Sequence, residues 1–290
     1  MKKATVFLKG GFGNQLFQFS FAEYLRKNSY KVDINSGLLN QTGKHTPREL
    51  ILPIKYFGFN EQKYINKKKF EYFLRINSSS TIKNSIFEHF FNDFKYTKEN
   101  SNFRKLNNKH FFFNGYWKNM EYVINNKEFI KTSISNNEVI KNQLSRDTKK
   151  NYVMIHVRRG DFVKLGWNLD LSYYEKSLNL LKQKFNNISI DIFTDDKEWV
   201  EDQNIFSGAK NIFSQESAHK SGKDNKDETI NTFSKMLGYS NFITGNSSFA
   251  FWAAFLKCND SSFITVPNPW FKNHNHPTLK MDNWLEVEVN

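Results

Sequence analysis

Short apolar segments alternate with helix-length segments throughout the second half of the chain. Strand-like apolar segments occupy residues 152–157, 188–193, 209–213, 241–244 and 262–267, and helical patterns occupy 172–185, 227–240 and 247–256. Strands and helices joined by short links are typical of a parallel sheet with helices on both faces. The alternation therefore predicts an α/β fold with a Rossmann-like unit in this half.

The N-terminus opens with the same type of unit. An apolar strand at 4–8 precedes the glycine-rich sequence KGGFGN, which leads into a helical pattern over 15–28 and a second strand at 31–35. A strand, a glycine loop, a helix and a strand in this order are typical of a Rossmann-like unit. The loop lacks the Gly-Lys-Ser ending of a P-loop, so it is a different kind of glycine loop.

A polar stretch at 145–151, SRDTKKN, predicts the boundary between two domains. We therefore expect one Rossmann-like domain at 1–149 and a second at 150–290, facing one another. The part between 36 and 148 has TPRELILP and FFFNGYWKNMEY as its clearest landmarks, and its pattern does not define its helices.

Polar residues follow four of the predicted strands in the second half. HVRRGD, TDD, TGNSS and PNPW come at residues 156–161, 194–196, 244–248 and 267–270, where these strands end. The carboxyl ends of parallel strands meet at one edge of a sheet, and ligands bind in the crevice there. The four segments therefore predict a single ligand site.

A helix N-terminus lies at this predicted site, because Gly245 and Asn246 lead into an apolar helix that starts with Ser247 and Ser248. Free backbone N–H groups at such a position bind phosphate, and the serine hydroxyl groups add donors. The alternative is that Asn246 or Ser247 serves only as an N-cap.

The charged residues nearby favour a nucleotide ligand. Arg158 would supply a planar guanidinium group that binds phosphate through two hydrogen bonds. Asp195 or Asp196 would accept hydrogen bonds from guanine or from ribose hydroxyl groups. Two simpler roles stay open, namely a salt bridge from Arg158 or Arg159 to Asp161, and an N-cap at Asp196.

Composition narrows the function classes. Lys and Arg number 42 against 29 Asp and Glu, and the net charge of +13 fits phosphorylated substrates, an anionic membrane face or nucleic acid. The lysines are scattered and no nucleic-acid-binding signature occurs, so we expect no specific nucleic-acid partner. A single cysteine, Cys258, and no signal peptide predict a cytoplasmic protein, with peripheral association at the inner face of the membrane left open.

Four motifs resemble those of glycosyltransferase family 11, the bacterial galactoside α-1,2-fucosyltransferases. They are GGFGNQLFQFSFAEYL, HVRRGD, FTDD and NSSFAFWAAFL, and they follow the family order from residue 10 to residue 256. YFGF at 56–59 and GYWKNMEYV at 115–123 also resemble family landmarks. Two departures from the family pattern concern the packing of the last helix or the acceptor side rather than the phosphate contacts: Ala250-Phe251 stands where Ser-Trp is usual, and KMLGYSN replaces a common L-M-S-x-C-x-H.

The resemblance implies a GT-B fold and a role for each motif residue. The acceptor-side domain would be 1–149, and the GDP-fucose-binding domain would be 150–290. Implied contacts with GDP-fucose are His156 at guanosine, Asp195 at guanine, Arg158, Ser247 and Ser248 at phosphate, and Asn14 beside the fucose. The candidate donor site also includes Gly11, Gly13, Asn246 and Phe249.

The implied reaction is inverting transfer of L-fucose from GDP-β-L-fucose to O2 of a terminal galactoside, which gives an α-1,2 linkage on a surface glycan or O-antigen type acceptor. Negative charge develops on the β-phosphate, so Arg158 and Asn14 would be catalytic. Asp161 would take the acceptor proton or orient an arginine. Alternatives are a fucosyltransferase of different linkage and a non-catalytic nucleotide-sugar-binding protein.

The sequence predicts no metal and no cofactor. A D-x-D motif, which would supply carboxylates to a bridging metal, is absent from the sequence. HNHP at 274–277 has no accompanying Cys or carboxylate cluster, so it predicts a polar loop.

Overall fold

A computed structural model describes residues 1–39, 48–62, 94–98, 109–215, 225–272, 276 and 278–289, with the backbone alone for 94–98. These residues form two α/β halves, each built around one sheet. Every strand pair described in the two sheets is parallel.

The N-terminal half contains a five-stranded sheet. Its elements are β1 Lys2–Phe7, α1 Phe12–Lys27, β2 Tyr30–Asn35, a 3-10 helix Ile54–Phe57, β3 Asn60–Glu61, β4 Phe94–Lys98 and β5 His110–Asn114. The 3-10 helices Met120–Tyr122 and Ile124–Asn126 and the helices α2 Lys127–Ile134 and α3 Glu138–Leu144 lead to the second sheet. The strand order is β3-β2-β1-β5-β4, so the winding reverses between β1 and β5.

The C-terminal half contains a six-stranded sheet. Its elements are β6 Lys149–Val157, α4 Gly160–Leu165, α5 Leu171–Lys184, β7 Ser189–Thr194, α6 Lys197–Glu201, a 3-10 helix Asn204–Phe206, β8 Ala209–Ser214, α7 Lys226–Met236, β9 Tyr239–Ile243, α8 Ser248–Lys257, β10 Ile264–Asn268 and β11 Leu285–Glu288. The order β11-β10-β9-β6-β7-β8 is that of a Rossmann sheet, and its winding reverses between β6 and β9. HVRRGD begins with the last two residues of β6, and GNSS follows β9, so both motifs flank this switch point.

The five strands predicted in the second half are confirmed as β6 to β10, but the helix predicted at 15–28 begins earlier. The structure starts α1 at Phe12, with Gly11 as its N-cap. The N–H of Gln15 donates to the carbonyl oxygen of Gly11 at 3.1 Å, which places Gly13 in the first turn. The glycine-rich motif is therefore partly a helix terminus.

One predicted helix boundary in the second half is wrong. The helix predicted at 227–240 ends at Met236, and Tyr239 already belongs to β9, whereas the domain boundary predicted at 145–151 stays a prediction, with β6 beginning in that stretch at Lys149. Both Tyr239 and Lys149 contact Asp191, a fully buried carboxylate. The Oδ2 atom of Asp191 accepts a hydrogen bond from the hydroxyl group of Tyr239 at 2.5 Å and lies 3.2 Å from Lys149 Nζ. A buried carboxylate needs such partners, and they hold Tyr239 and Lys149 in neighbouring strands.

The pattern did not define α2, α3 or β11, which are short. The segment α3 has seven residues and depends on a local cap, because Asn137 Oδ1 accepts the N–H of Ile140 at 3.2 Å. The strand β11 has four residues, of which only Val287 is buried. Segments of this length carry too few apolar residues to define a period.

The two halves share one hydrophobic core along α1 and α8. Phe17 of α1 lies 5.1 Å from Phe251 and 5.0 Å from Trp252 of α8, measured between ring centroids, and all three are buried. The departure from the family pattern at Ala250-Phe251 therefore lies in the packing between the halves. The predicted architecture, α/β with two Rossmann-like units of GT-B type facing a cleft, is confirmed.

The described helices are short relative to a bilayer. None of those in the described ranges is long and apolar enough to cross a membrane. The sixteen-residue α1 ends with Arg26 and Lys27 in its last turn.

Candidate active site

Glycines shape the loop after β1 and the first turn of α1. Gly10 has a φ of +74°, and a Cβ atom there would lie 2.5 Å from Asn14 Nδ2. Gly11 caps α1 without a side-chain hydrogen bond. A Cβ atom on Gly13 would lie 2.5 Å from the carbonyl carbon of Ser248. The absence of side chains therefore brings the start of α1 against the backbone of α8.

Two buried glutamines of α1 form hydrogen bonds with the backbone of the loops around the cleft. Gln15 Nε2 donates to the carbonyl oxygens of Gly10 at 3.1 Å and Glu49 at 2.8 Å. Gln18 Nε2 donates to the carbonyl oxygen of Gly115 at 3.0 Å. Both glutamines are fully buried, so these bonds satisfy groups that would otherwise destabilise the fold. The signal in the sequence was two amides inside an apolar helix pattern.

The N-termini of α1 and α8 meet at the cleft. Ser247 is the N-cap of α8, and its Oγ accepts the N–H of Phe249 at 3.3 Å, as the capping alternative predicted. Ser248 Oγ donates to Asn14 Oδ1 at 3.0 Å. Each helix N-terminus carries about half a positive elementary charge, so both helices direct positive potential to the same place.

Two buried polar atoms lie beside the switch point of the second sheet. His156 Nδ1 and Asn246 Oδ1 have no hydrogen-bond partner among the described residues, although the residues are 6% and 2% exposed. Burial lowers the pKa of His156 to about 4; Asp195 opposes this shift and Arg158 adds to it. The ring is therefore neutral at physiological pH. A neutral imidazole and an amide oxygen suit uncharged polar groups such as a base or ribose hydroxyls.

Arg158 is held between two carboxylates. Its Nη2 lies 2.6 Å from Asp161 Oδ1, and its Nη1 lies 2.7 Å from Asp195 Oδ2. The other oxygen of Asp195 accepts the backbone N–H of Arg159 at 2.8 Å. The predicted salt bridge to Asp161 is thus confirmed for Arg158. The contact of Asp195 with guanine stays a prediction, and both of its carboxylate oxygens have protein partners here.

The side chain of Arg159 contacts the start of the helix α6. Its Nε donates to Asp196 Oδ2 at 2.9 Å, and its guanidinium carbon lies 3.7 Å from the ring centroid of Trp199. The other oxygen of Asp196 accepts the N–H of Trp199 at 3.3 Å. The N-cap role predicted for Asp196 is therefore confirmed, and of the two neighbouring arginines Arg158 is the one that faces the candidate site.

The N-terminal half contributes a guanidinium that the sequence did not single out. Arg48 Nη2 lies 3.8 Å from Asp161 Oδ2. The side chain of Asp161 is 36% exposed, so this carboxylate is open to the cleft between arginines of the two halves. The available signal was an arginine in the landmark TPRELILP, directly before an apolar run.

An aromatic cluster borders the arginines. The ring of Trp167 lies 5.6 Å from that of Phe162 and 5.0 Å from that of Phe271. The guanidinium of Arg158 lies 5.4 Å from the Phe162 ring, and Lys118 Nζ of the other half lies 6.0 Å from the Phe271 ring. The predicted PNPW strand end thus joins the cleft through the next residue, Phe271. Such rings offer flat apolar surface to a ligand.

The described part of the chain contains no group of three or more His, Cys, Asp or Glu side chains arranged to hold a metal ion. His274 lies outside the described residues, and the ring of His276 packs 6.2 Å from that of Trp270.

The structure brings the candidate site residues together at one cleft. The helix junction contains Gly11, Gly13, Asn14, Ser247, Ser248 and Phe249. The second group, beside the switch point, contains His156, Arg158, Asp161, Asp195 and Asn246. Their roles toward a ligand stay predictions. Sequence reasoning missed Arg48, Gln15 and Gln18, whose contacts join segments distant in the chain.

Two Rossmann-like halves that share a cleft define the architecture of GT-B glycosyltransferases. The chain belongs to glycosyl transferase family 11, whose family model matches residues 3–288. It is therefore a glycosyltransferase.

Named relatives come from Escherichia coli. The chain is 29% identical over 298 residues to an alpha-1,2-colitosyltransferase, with 97% of each chain covered. It is 25% identical over 311 residues to the O-antigen biosynthesis glycosyltransferase WbnK, with 97% of this chain and 99% of WbnK covered. Among solved structures, the fucosyltransferase NodZ from Bradyrhizobium has a TM-score of 0.47 at 12% identity, covering 87% of this chain and 91% of NodZ.

Proposed function

We propose that this glycosyltransferase is an inverting α-1,2-fucosyltransferase that moves L-fucose from GDP-β-L-fucose to O2 of a terminal galactoside. The observation that carries the proposal is the junction of two helix N-termini, of which α8 follows β9, the neighbour of the strand β6 that leads to Arg158. A diphosphate carries roughly two negative charges, and the positive ends of two helices together with a guanidinium group suit such a ligand.

The donor is proposed to lie mainly against the C-terminal domain, 150–290. Its diphosphate would contact Arg158 and the start of α8. The guanosine would satisfy the unpaired His156 Nδ1 and Asn246 Oδ1. The acceptor would enter from the N-terminal domain, 1–149, with its sugar ring against the aromatic cluster of Phe162, Trp167 and Phe271.

The proposed chemistry needs charge stabilisation and one proton acceptor. The acceptor oxygen attacks C1 of fucose while the bond from C1 to the β-phosphate oxygen breaks, and the electron pair stays on the phosphate. Arg158, Asn14 and the two helix N-termini would stabilise that growing charge. Asp161, a carboxylate open to the cleft, would accept the hydroxyl proton.

A second candidate is colitosyl transfer. The identity of 29% across 97% of the chain to an alpha-1,2-colitosyltransferase favours it. Colitose differs from fucose by the absence of the 3-hydroxyl group, so both sugars would occupy one pocket. A site that hydrogen-bonds this hydroxyl would prefer fucose strongly, because colitose would leave its partner unpaired.

Turnover assays separate these candidates and the binding-protein alternative. Purified enzyme is incubated with GDP-fucose, GDP-colitose, GDP-mannose or UDP-galactose, with and without a panel of β-galactosides, and nucleotide release is followed. We expect acceptor-dependent release of GDP from GDP-fucose and the highest kcat/KM for that donor. Tight GDP-fucose binding without acceptor-dependent release would identify a nucleotide-sugar-binding protein instead.

The proposed acceptor is a surface glycan or O-antigen precursor, and the proposed place is the cytoplasm at the inner face of the membrane. The similarity to WbnK supports the acceptor, and the net charge of +13 supports contact with an anionic surface. Cosedimentation with anionic vesicles, but not with neutral ones, is the expected result at low salt.

A further inference from the structure

Asp161 lies between two guanidinium groups that come from opposite halves of the molecule. Arg158 Nη2 is 2.6 Å from its Oδ1, and Arg48 Nη2 is 3.8 Å from its Oδ2. The two contacts use different oxygens, so the carboxylate bridges the two arginines. The exposed fraction of the side chain is 36% for Asp161, 23% for Arg158 and 19% for Arg48. The carboxylate is therefore the most accessible of the three groups.

A phosphate that binds both Nη atoms of Arg158 competes with the two carboxylates for the guanidinium hydrogens. Nη1 contacts Asp195 and Nη2 contacts Asp161. The side chain of Asp195 is 4% exposed and also accepts the N–H of Arg159, so it is the fixed partner. A phosphate that takes the Nη2 hydrogen directed at Asp161 therefore weakens the contact with Asp161 rather than the contact with Asp195.

Arg48 lies where it can hold Asp161 when a phosphate competes for Arg158. The backbone on its C-terminal side is tied to the first turn of α1, because Gln15 Nε2 donates to the carbonyl oxygen of Glu49 at 2.8 Å. Gln15 Oε1 also accepts the N–H of Ile51 at 3.2 Å. Gln15 is fully buried, so these bonds are shielded from water.

We infer that Arg48 is a positioning residue: it keeps Asp161 oriented while Arg158 binds the donor phosphate. The inference rests on the proposed function and deepens it. As the acceptor hydroxyl proton passes to Asp161, the bond from C1 to the phosphate oxygen breaks and the phosphate gains a negative charge. Asp161 loses one in the same step, so Arg48 and Arg158 face an unchanged total charge.

Arg48→Gln tests this role, with Arg26→Gln as a matched control. Arg26 belongs to the same half and pairs with Glu23 at 2.5 Å, outside the cleft. We measure kcat, the KM for the donor, the Kd for GDP and the melting temperature. For Arg48→Gln we expect kcat to fall roughly 10- to 100-fold through misplacement of the base. The Kd for GDP should stay within about twofold, Arg48→Lys should recover part of kcat, and Arg26→Gln should match the wild type.

Two results would overturn the inference. One is an unchanged kcat in folded Arg48→Gln. The other is a loss of GDP affinity that parallels the loss of kcat, because Arg48 would then be a donor ligand. If Arg48→Gln does not fold, the inference is tested with Arg48→Lys instead. A lower kcat at an unchanged KM for the donor supports the inference, and a wild-type kcat contradicts it. A wild-type enzyme without turnover of any GDP-sugar would remove the proposed function and this inference together, whereas a negative result confined to the variants leaves the proposed function standing.

Discussion

Ser248 Oγ donates a hydrogen bond to Asn14 Oδ1 at 3.0 Å and so joins the first turns of two helices from opposite halves. One helix follows β1 and the other follows β9, and each of these strands lies at the switch point of its sheet. Gly13 permits the approach, because a Cβ atom there would lie 2.6 Å from the backbone nitrogen of Phe249. The positive ends of both helices therefore share one position in the cleft.

Asn14→Asp should separate stability from donor binding. The aspartate retains an oxygen that can accept the hydrogen of Ser248, and its negative charge suits a helix N-terminus, so we expect equal or slightly higher thermal stability. The same charge repels a diphosphate, so the Kd for GDP should rise roughly tenfold or more. Calorimetric titration with GDP checks the prediction, and an unchanged affinity would place the diphosphate elsewhere.

Arg158→Lys should abolish most turnover while the fold survives. A lysine ammonium cannot reproduce the planar pair of donors that a guanidinium presents to phosphate. Because the phosphate charge grows in the transition state, kcat should fall at least as much as KM rises, by roughly 100-fold. Arg146→Lys, at an exposed position before β6, serves as the control. Near-normal turnover in folded Arg158→Lys would remove Arg158 from the centre of the mechanism.

Stability should depend on pH through His156. Burial lowers its pKa to about 4 in the folded chain, from about 6.5 when unfolded. Between these values the unfolded state binds the extra proton, so stability is full above about pH 6.5 and falls as the pH falls to about 4. The loss should be on the order of 3 kcal/mol.

Urea unfolding of the wild type and of His156→Gln at about pH 7.5 and about pH 4.5 measures this contribution. Burial also lowers the pKa of His110, but that histidine is common to both proteins, so the difference between them reports His156. Equal pH dependence in the two proteins would mean that His156 is protonated in the folded state at acidic pH.

Turnover should persist in excess EDTA. Catalysts without protein donors at the leaving phosphate use a bridging divalent ion, whereas here Arg158 and the starts of α1 and α8 supply the positive charge. Added Mg²⁺ should stimulate only modestly, through product release or ionic effects. Abolition of turnover by the chelator and its recovery with a divalent ion would make the assigned role of Arg158 incomplete.

The sequence predicted those parts of the site that depend on neighbouring residues. The salt bridge of Arg158 with Asp161 and the caps at Asp196 and Ser247 each join residues within three positions, so local pattern was enough. The contact of Arg48 with Asp161 joins the two halves, and hydrophobic periodicity carries no information about such pairs.

The wrong end predicted for the helix at 227–240 also has a tertiary cause. Tyr239 was assigned to a helix from local pattern, but its hydroxyl group donates to the buried carboxylate of Asp191 on β7, two strands away in the sheet. A buried charge requires partners wherever the sheet provides them, and this tertiary requirement outweighed local propensity. The overall fold was more predictable, because alternating strands and helices with short links permit few arrangements.

The linkage in the product tests the central claim most directly. The enzyme is incubated with GDP-β-L-fucose and a simple β-galactoside, and the purified product is examined by NMR. Inverting transfer to O2 predicts an α-fucosyl anomeric signal. It also predicts a correlation across the linkage between the anomeric proton of fucose and C2 of galactose. A β anomer or a linkage at another galactose hydroxyl group would contradict the account. So would the absence of a fucosylated product if the enzyme turns over a donor of another class.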